Sequence, residues 1–368
     1  MSPTAGRKHL TYSAAGVDAA AKSAGLRALL RSVDKTRDFR RGVGEPLLDI
    51  GYFANVIDIG GGMALAITTD TTGSKVLIAQ MVDRYDTIGI DCVAINVNDV
   101  LCVGAEPLAL VDCISLEEPD ERILDELGKG LYLGAKQANI SIVGGEMAQV
   151  PGMVTGLKPG LGLDVAGTCV GLVARDEIVL GQSIEDGDAL IGLRSSGIHC
   201  NGLTLAREAL FGGGYSADQM VEGLERPLGE ELLEPTRIYA AEVRALRDAG
   251  VRVRALAHIS GDGLLNLTRV KSEVGYVVER FPEPHAIFGL IQSAGNVEDE
   301  EMFRVYNMGI GFCTVVDAAD VGKAIEAAAG CGTEAYHLGY AVRDAKRRVD
   351  IRPYGLLGEN GRFRRQPG

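Results

Sequence analysis

The chain reads as a mixed α/β protein of two domains, on three observations. Apolar runs of strand length alternate with helical periodicities over most of the sequence. Some strand signals follow one another with no helix between, so the sheets are not purely parallel. The 368 residues, 46% of them hydrophobic, suffice for two cores. The expected divisions are an N-terminal arm (1–45), a first domain (46–177), a second domain (178–350) and a loose, basic tail (351–368).

The elements follow in order. The first residues are mixed in character and carry the basic cluster Lys35, Arg37, Arg40 and Arg41. Ala64–Thr69 reads as a strand and Asp70–Lys75 as a loop. Helical periodicity runs from Asp91 to Val103 and stops at Gly104, a C-terminal cap. Leu108–Cys113 is a strand, and Pro119–Asn139 a helix whose acidic start suits its dipole. Ile140–Val143 is a strand ending at Gly144-Gly145, and Val165–Ala174 another. Ile184–Asp188 reads as the turn into the second domain. There, strands at Ala189–Leu193, about Leu256–His258 and Gly309–Val316 interleave with helices from Leu203, at Pro235–Ala249, Pro284–Ser293 and Val297–Arg304. A final helix and strand close the domain.

Composition narrows the function. With 37 basic against 50 acidic residues the net charge is −13, which argues against nucleic acid or an anionic membrane as partner. A phosphate ligand must then be held locally. The seven cysteines form no CxxC pair, so neither a zinc site nor a disulfide framework is expected. No signal peptide or spanning stretch is read, and a cytoplasmic protein is the expectation.

Ser195-Ser196-Gly197-Ile198-His199-Cys200-Asn201-Gly202 lies between a strand and a helix start. Such a turn aims free backbone N–H groups at one spot, which favours an anion. It reads equally as a tight turn in which Ser or Asn caps the helix. Asp70, Asp99 and Glu146 stand in small-residue surroundings, and hard carboxylate oxygens beside glycine-rich backbone suit magnesium and nucleotide phosphates. Each also reads as a cap, turn or surface acid. Asp70-Thr71-Thr72-Gly73-Ser74-Lys75 is not a Walker A loop. Lys75 is either a cation for phosphate or a solvated surface lysine. His199 and His258 both sit at strand-to-loop positions beside Ser and Gly; each reads as a proton carrier or as a bonded structural histidine. Asn307-Met308-Gly309 is a further small-residue turn or bulge.

These segments, taken with Thr11–Asp18, Asp86–Asp91, Asn98–Pro107, Gly144-Gly145-Glu146, Val150–Met153, Asp164–Gly167, Pro235–Tyr239, His258–Gly263, Ala294–Glu298 and Asn307–Gly311, resemble the phosphoribosylformylglycinamidine cyclo-ligase (aminoimidazole ribonucleotide synthetase) family. The resemblance runs in order from Thr11 to about Val316. It implies a PurM-like two-domain fold, with N-terminal sheets pairing into a dimeric β-barrel and a C-terminal α/β sandwich. It implies a homodimer with clefts near the interface, ATP and Mg²⁺ as cofactors, and a small ribonucleotide substrate. ATP would phosphorylate the formyl amide oxygen of formylglycinamidine ribonucleotide; nitrogen attack would displace phosphate and close the imidazole ring. Asp70, Asp99 and Glu146 would hold metal, and with Asn98, Gly144 and Gly145 the nucleotide. Lys75, His199 and His258 would be catalytic, and Ser195, Ser196, Gly197, Asn201 and Asn307 would bind substrate.

The chain departs from the family at Thr71-Thr72, where Gly-Val is usual, at Ala19–Lys22, at Asp262 and at Met147–Gln149. Those departures leave open a nucleotide-binding paralogue or a sister kinase. A selenophosphate synthetase is excluded because the first cysteine is Cys92.

Overall fold

A computed structural model describes residues 9–17 and 19–366; Asp18 and the last two residues of the tail lie outside them. The first unit contains α1 (Ala19–Val33), β1 (Asn55–Gly60), β2 (Met63–Thr71), α2 (Lys75–Val82), α3 (Asp86–Leu101), β3 (Glu106–Leu116), α4 (Glu121–Ala138), β4 (Ser141–Gln149) and β5 (Leu163–Ala174). Its sheet has the order β1-β2-β5-β3-β4. Only β3 and β4 run parallel, across the α4 connection.

Helix α3 is the spine of this unit. Every residue of it except Asp86 and Asp99 is buried. Its closeness to its neighbours depends on glycines. A Cβ on Gly130 of α4 would lie 1.8 Å from the Asp86 carbonyl oxygen, and one on Gly167 of β5 would lie 2.8 Å from Asn96 Nδ2. Backbone therefore packs on backbone, and the register of α3 is fixed at its acidic and amide side chains. The opposite face of the sheet is open: Ile59, Val111 and Val143 are exposed.

The second unit contains β6 (Ala189–Arg194), α5 (Leu203–Leu210), α6 (Leu228–Leu232), α7 (Ala240–Asp248), β7 (Val253–His258), β8 (Val274–Val278), α8 (Ala286–Gly295), α9 (Asp299–Val305), β9 (Ile310–Val316), α10 (Val321–Gly330), β10 (Ala335–Arg343), β11 (Val349–Ile351), β12 (Leu356–Glu359) and β13 (Arg362–Arg365). These strands form one eight-stranded sheet, β13-β12-β11-β8-β10-β6-β9-β7. All residues of β8 and β9 are buried, as expected of strands covered on both faces.

Four expectations are corrected. The tail is not loose: β12 and β13 pair and extend the sheet, with Leu356 and Phe363 buried. Helix α1 arises where only a mixed arm was expected, and strand β1, within the expected first domain, was not read. β4 runs on through Gly144, Gly145 and Glu146 instead of ending there. Pro235–Tyr239 precedes α7 and is not helical. The expected dimeric barrel has no closed counterpart in one chain; the sheet of the first unit is open.

Candidate active site

The Ser195–Gly202 turn follows β6 and is built around Asn307. The Asn307 amide donates to the carbonyls of Gly197 (2.9 Å) and Ile198 (3.3 Å), and its oxygen accepts from Ser195 Oγ (3.1 Å) and Gly309 N (2.8 Å). Ser196 Oγ donates to the Pro235 carbonyl. Ser195, Ser196 and Asn307 thus spend their polar atoms on shaping the loop. Asn201 is the partly exposed amide, and its oxygen would lie 3.1 Å from a Cβ on Gly261. Gly202 turns the chain into α5 at φ 79°, where a Cβ would meet the Tyr306 ring at 2.2 Å. Ser74 Oγ lies 3.1 Å from Thr204 Oγ1, so the starts of α2 and α5 face each other across the two units.

His199 is buried at φ 63°. Its Nε2 accepts from Ser196 N (3.3 Å) and Arg237 N (3.5 Å), which leaves the proton on Nδ1, without a partner among the described residues. Burial, followed by the charges of His258, Lys75 and Arg237, holds its pKa well below the usual imidazole range. A neutral His199 takes up no proton on mild acidification, whereas the unfolded chain does so below about pH 6.5. Stability contributed by this site is therefore present above about pH 6.5 and declines below it. Urea unfolding between pH 8 and pH 5 is expected to show that decline, with a shallower slope in His199→Gln; an unchanged slope would refute it.

Lys75 and Asn98 do not stand where an open nucleotide site needs them. Lys75 is fully buried: its ammonium lies 2.8 Å from Asp91 Oδ2 and donates to the Glu234 carbonyl at 2.6 Å. Asp91 Oδ1 accepts from Thr236 N at 2.7 Å. One face of α3 further along, Asn98 accepts from Tyr239 N (3.0 Å) and donates to the Arg237 carbonyl (2.8 Å). Side chains seven residues apart on one helix thus hold 234–239 in a non-helical path. Asp91 was missed by the sequence reading; its signal was the two-turn spacing to Asn98.

The open chemistry lies beside this clamp. Asp99 is one of only two residues of α3 that are not buried, and its Oδ1 is 2.8 Å from His258 Nδ1 at the end of β7. The pair therefore joins the two units. Asp70, at the end of β2, is close enough to feel both groups: crowding by neighbouring atoms raises its carboxyl pKa, the Thr71 N–H opposes this, and Asp99 adds to the rise while His258 opposes it. Asp70 and Asp99 thus lie near each other.

Glu146 does not join them. Asp70 is paired with Gly167, Gly167 with Asp112 and Asp112 with Gly145. Residues paired across strands share a face, so Glu146 points to the opposite, open face of the sheet. Among the described residues no three His, Cys, Asp or Glu side chains gather around a metal position. Gly145 instead makes room for Asp112, whose carboxylate oxygens would lie 2.6 Å from a Cβ there. Burial raises the Asp112 carboxyl pKa. Asp112 too was missed, because its strand reads as apolar.

Residues 51–173 match the model of the AIR synthase related protein N-terminal domain and residues 185–352 that of the C-terminal domain. A phosphoribosylformylglycinamidine cyclo-ligase of Pyrococcus furiosus is 49% identical over 86% of this chain and 91% of its own. The enzyme of that name from Thermococcus kodakarensis is 47% identical over 94% and 99%. The chain belongs to the phosphoribosylformylglycinamidine cyclo-ligase family. Its fold is shared more widely: the structure of AaThiL complexed with AMPPCP and TMP superposes with a TM-score of 0.59 at 15% identity, over 89% of this chain and 93% of that one.

Proposed function

We propose that this cyclo-ligase uses ATP to close the imidazole ring of aminoimidazole ribonucleotide at the Asp70–Asp99–His258 junction. The observation that carries the placement is the 2.8 Å Asp99–His258 contact, which brings an acid of one unit and a base of the other to one point. An amide oxygen is a poor leaving group, and phosphorylation makes it a good one. The formyl oxygen attacks the γ-phosphorus of ATP and releases ADP. The amidine-side nitrogen then forms the new C–N bond, and the C–O bond breaks with phosphate leaving. Asp99 accepts from His258 Nδ1–H, so Nε2 presents a lone pair that takes the proton lost by the attacking nitrogen. The Ser195–Gly202 turn, held by Asn307, offers backbone N–H groups and the Asn201 amide to the substrate.

Asp70 is exposed and Asp99 partly exposed, and two carboxylates with hard oxygen donors at one open point fit Mg²⁺. Asp70 and Asp99 would hold the ion; Glu146 lies on the other face of the sheet and would not. The ion supplies neutralisation of phosphate charge.

The test is ADP release from Mg-ATP with and without formylglycinamidine ribonucleotide, with the imidazole product measured in the same tube. One ADP per product, and none without substrate, is expected. ADP release independent of that substrate would point to the sister kinase instead.

The homodimer belongs to this proposal. An open sheet face that exposes Ile59, Val111 and Val143 is costly in water, and a second copy would cover it. Val111→Glu is expected to halve the mass seen by light scattering while the far-UV spectrum is kept. A monomeric parent protein would refute the dimer. Among the described residues no helix is long and apolar enough to cross a membrane.

A further inference from the structure

A cavity of about 260 Å³ lies at the C-terminal end of α3, between the start of β3, α7 and β7. Leu101, Val243, Val253 and Leu256 line it. Such a space exceeds the roughly 150 Å³ that takes a benzene ring. Leu101 stands two residues beyond Asp99, and Leu256 two residues before His258, so the cavity shares α3 and β7 with the site already described.

Four charged side chains complete the lining. Glu106, at the start of β3, and Glu177 come from the first unit; Arg244 and Arg247 come from α7 of the second. Ion pairs are frequent elsewhere in the chain, yet these four form none, and no side-chain hydrogen bond of theirs is found among the described residues. Residues of both signs thus border one partly apolar space, at exposed or half-buried positions. A simple anion would be opposed by the glutamates, and a simple cation by the arginines. A zwitterion with a compact apolar body answers both: its carboxylate reaches the guanidinium forks and its ammonium the carboxylates.

We propose that this cavity is a binding site for an apolar α-amino acid, separate from the nucleotide and substrate site. Each part of that ligand has a counterpart. The side chain fills the space between Leu101, Val253 and Leu256, and the two charged groups take the two walls. Arg244 is half-buried and Arg247 exposed, so removing them leaves the core intact.

The test is thermal unfolding and titration calorimetry on the full chain with L-leucine and L-phenylalanine as probes. 3-Phenylpropanoate, which lacks the ammonium, and 2-phenylethylamine, which lacks the carboxylate, are the controls. At about 10 mM an amino acid is expected to raise Tm by about 2 °C. Each control is expected to bind at least about tenfold more weakly, since each leaves one charged wall unanswered. The Arg244→Ala/Arg247→Ala double variant is expected to lose the response while keeping the parent Tm. Val243→Phe, which fills the space and leaves the charges, is expected to lose it too. Absence of heat and of any Tm shift with both amino acids would overturn the proposal. So would a response that survives both variants, or 3-phenylpropanoate binding as tightly as L-phenylalanine.

Discussion

Asp99→Asn is expected to lower turnover by about 10²–10⁴-fold with the fold intact. The side chain is partly exposed at the end of an otherwise buried helix, and Asn is nearly isosteric, so packing is kept. What changes is charge. The carboxylate fixes the proton on His258 Nδ1 and stabilises the imidazolium once Nε2 has taken a proton; a neutral amide does only the first, and that weakly. The loss should therefore fall on kcat more than on KM. His258→Asn should cost a similar factor, and the double variant little more, because the two act as one unit. The measurements are kcat and KM beside Tm. Asp99→Asn turning over near the parent rate would remove the role assigned to it.

Asp91→Ala is expected to destabilise the protein by about 3–5 kcal/mol, because it strands the buried Lys75 ammonium. Lys75→Met should cost about as much by stranding Asp91. Both partners are fully buried, so solvent cannot take over either role. The Lys75→Met/Asp91→Leu double variant should recover much of the loss, since no lone charge remains. It would not recover the bonds to the Glu234 carbonyl and Thr236 N that set the path of 234–239. Stability and activity should therefore separate: the double variant is expected to fold yet show a raised KM, because Arg237 N also positions His199. Urea unfolding reads the first effect and steady-state kinetics the second. A single variant within about 1 kcal/mol of the parent would show that the pair is not the clamp described here.

The alternation of elements was legible because each long helix and most strands carry their own period. Helix α4 declares itself by the Asp120 cap, which accepts from Ile123 N at 3.0 Å, and by an apolar stripe facing α3. The misses have physical causes. Helix α1 carries Gly25 in its middle and lacks an acidic first turn, so its local signal is weak. In β13 only Phe363 is buried, among exposed arginines, and so short an alternation reads as a basic tail. Pro235 invites a helix start, but the path of 235–239 is decided by side chains of α3, from far away in sequence.

At the site, the Asp70, Asp99 and His258 types were readable and their meeting was not. Which face of a strand a residue takes depends on counting from a register, and one step separates Gly145 from Glu146. The sequence reading ended β4 at the glycines and so left the face of Glu146 undecided. Lys75 was weighed as a phosphate cation or a surface residue, and it is neither: its partner, Asp91, sits sixteen positions away in the next helix.

The account rests on the formyl oxygen leaving as part of phosphate, and one labelling experiment tests that directly. Formylglycinamidine ribonucleotide carrying ¹⁸O in its formyl group is turned over with unlabelled ATP, and the inorganic phosphate is examined by mass spectrometry. The account predicts one ¹⁸O atom in phosphate for each imidazole formed. Unlabelled phosphate, with the ¹⁸O recovered in water, would contradict it.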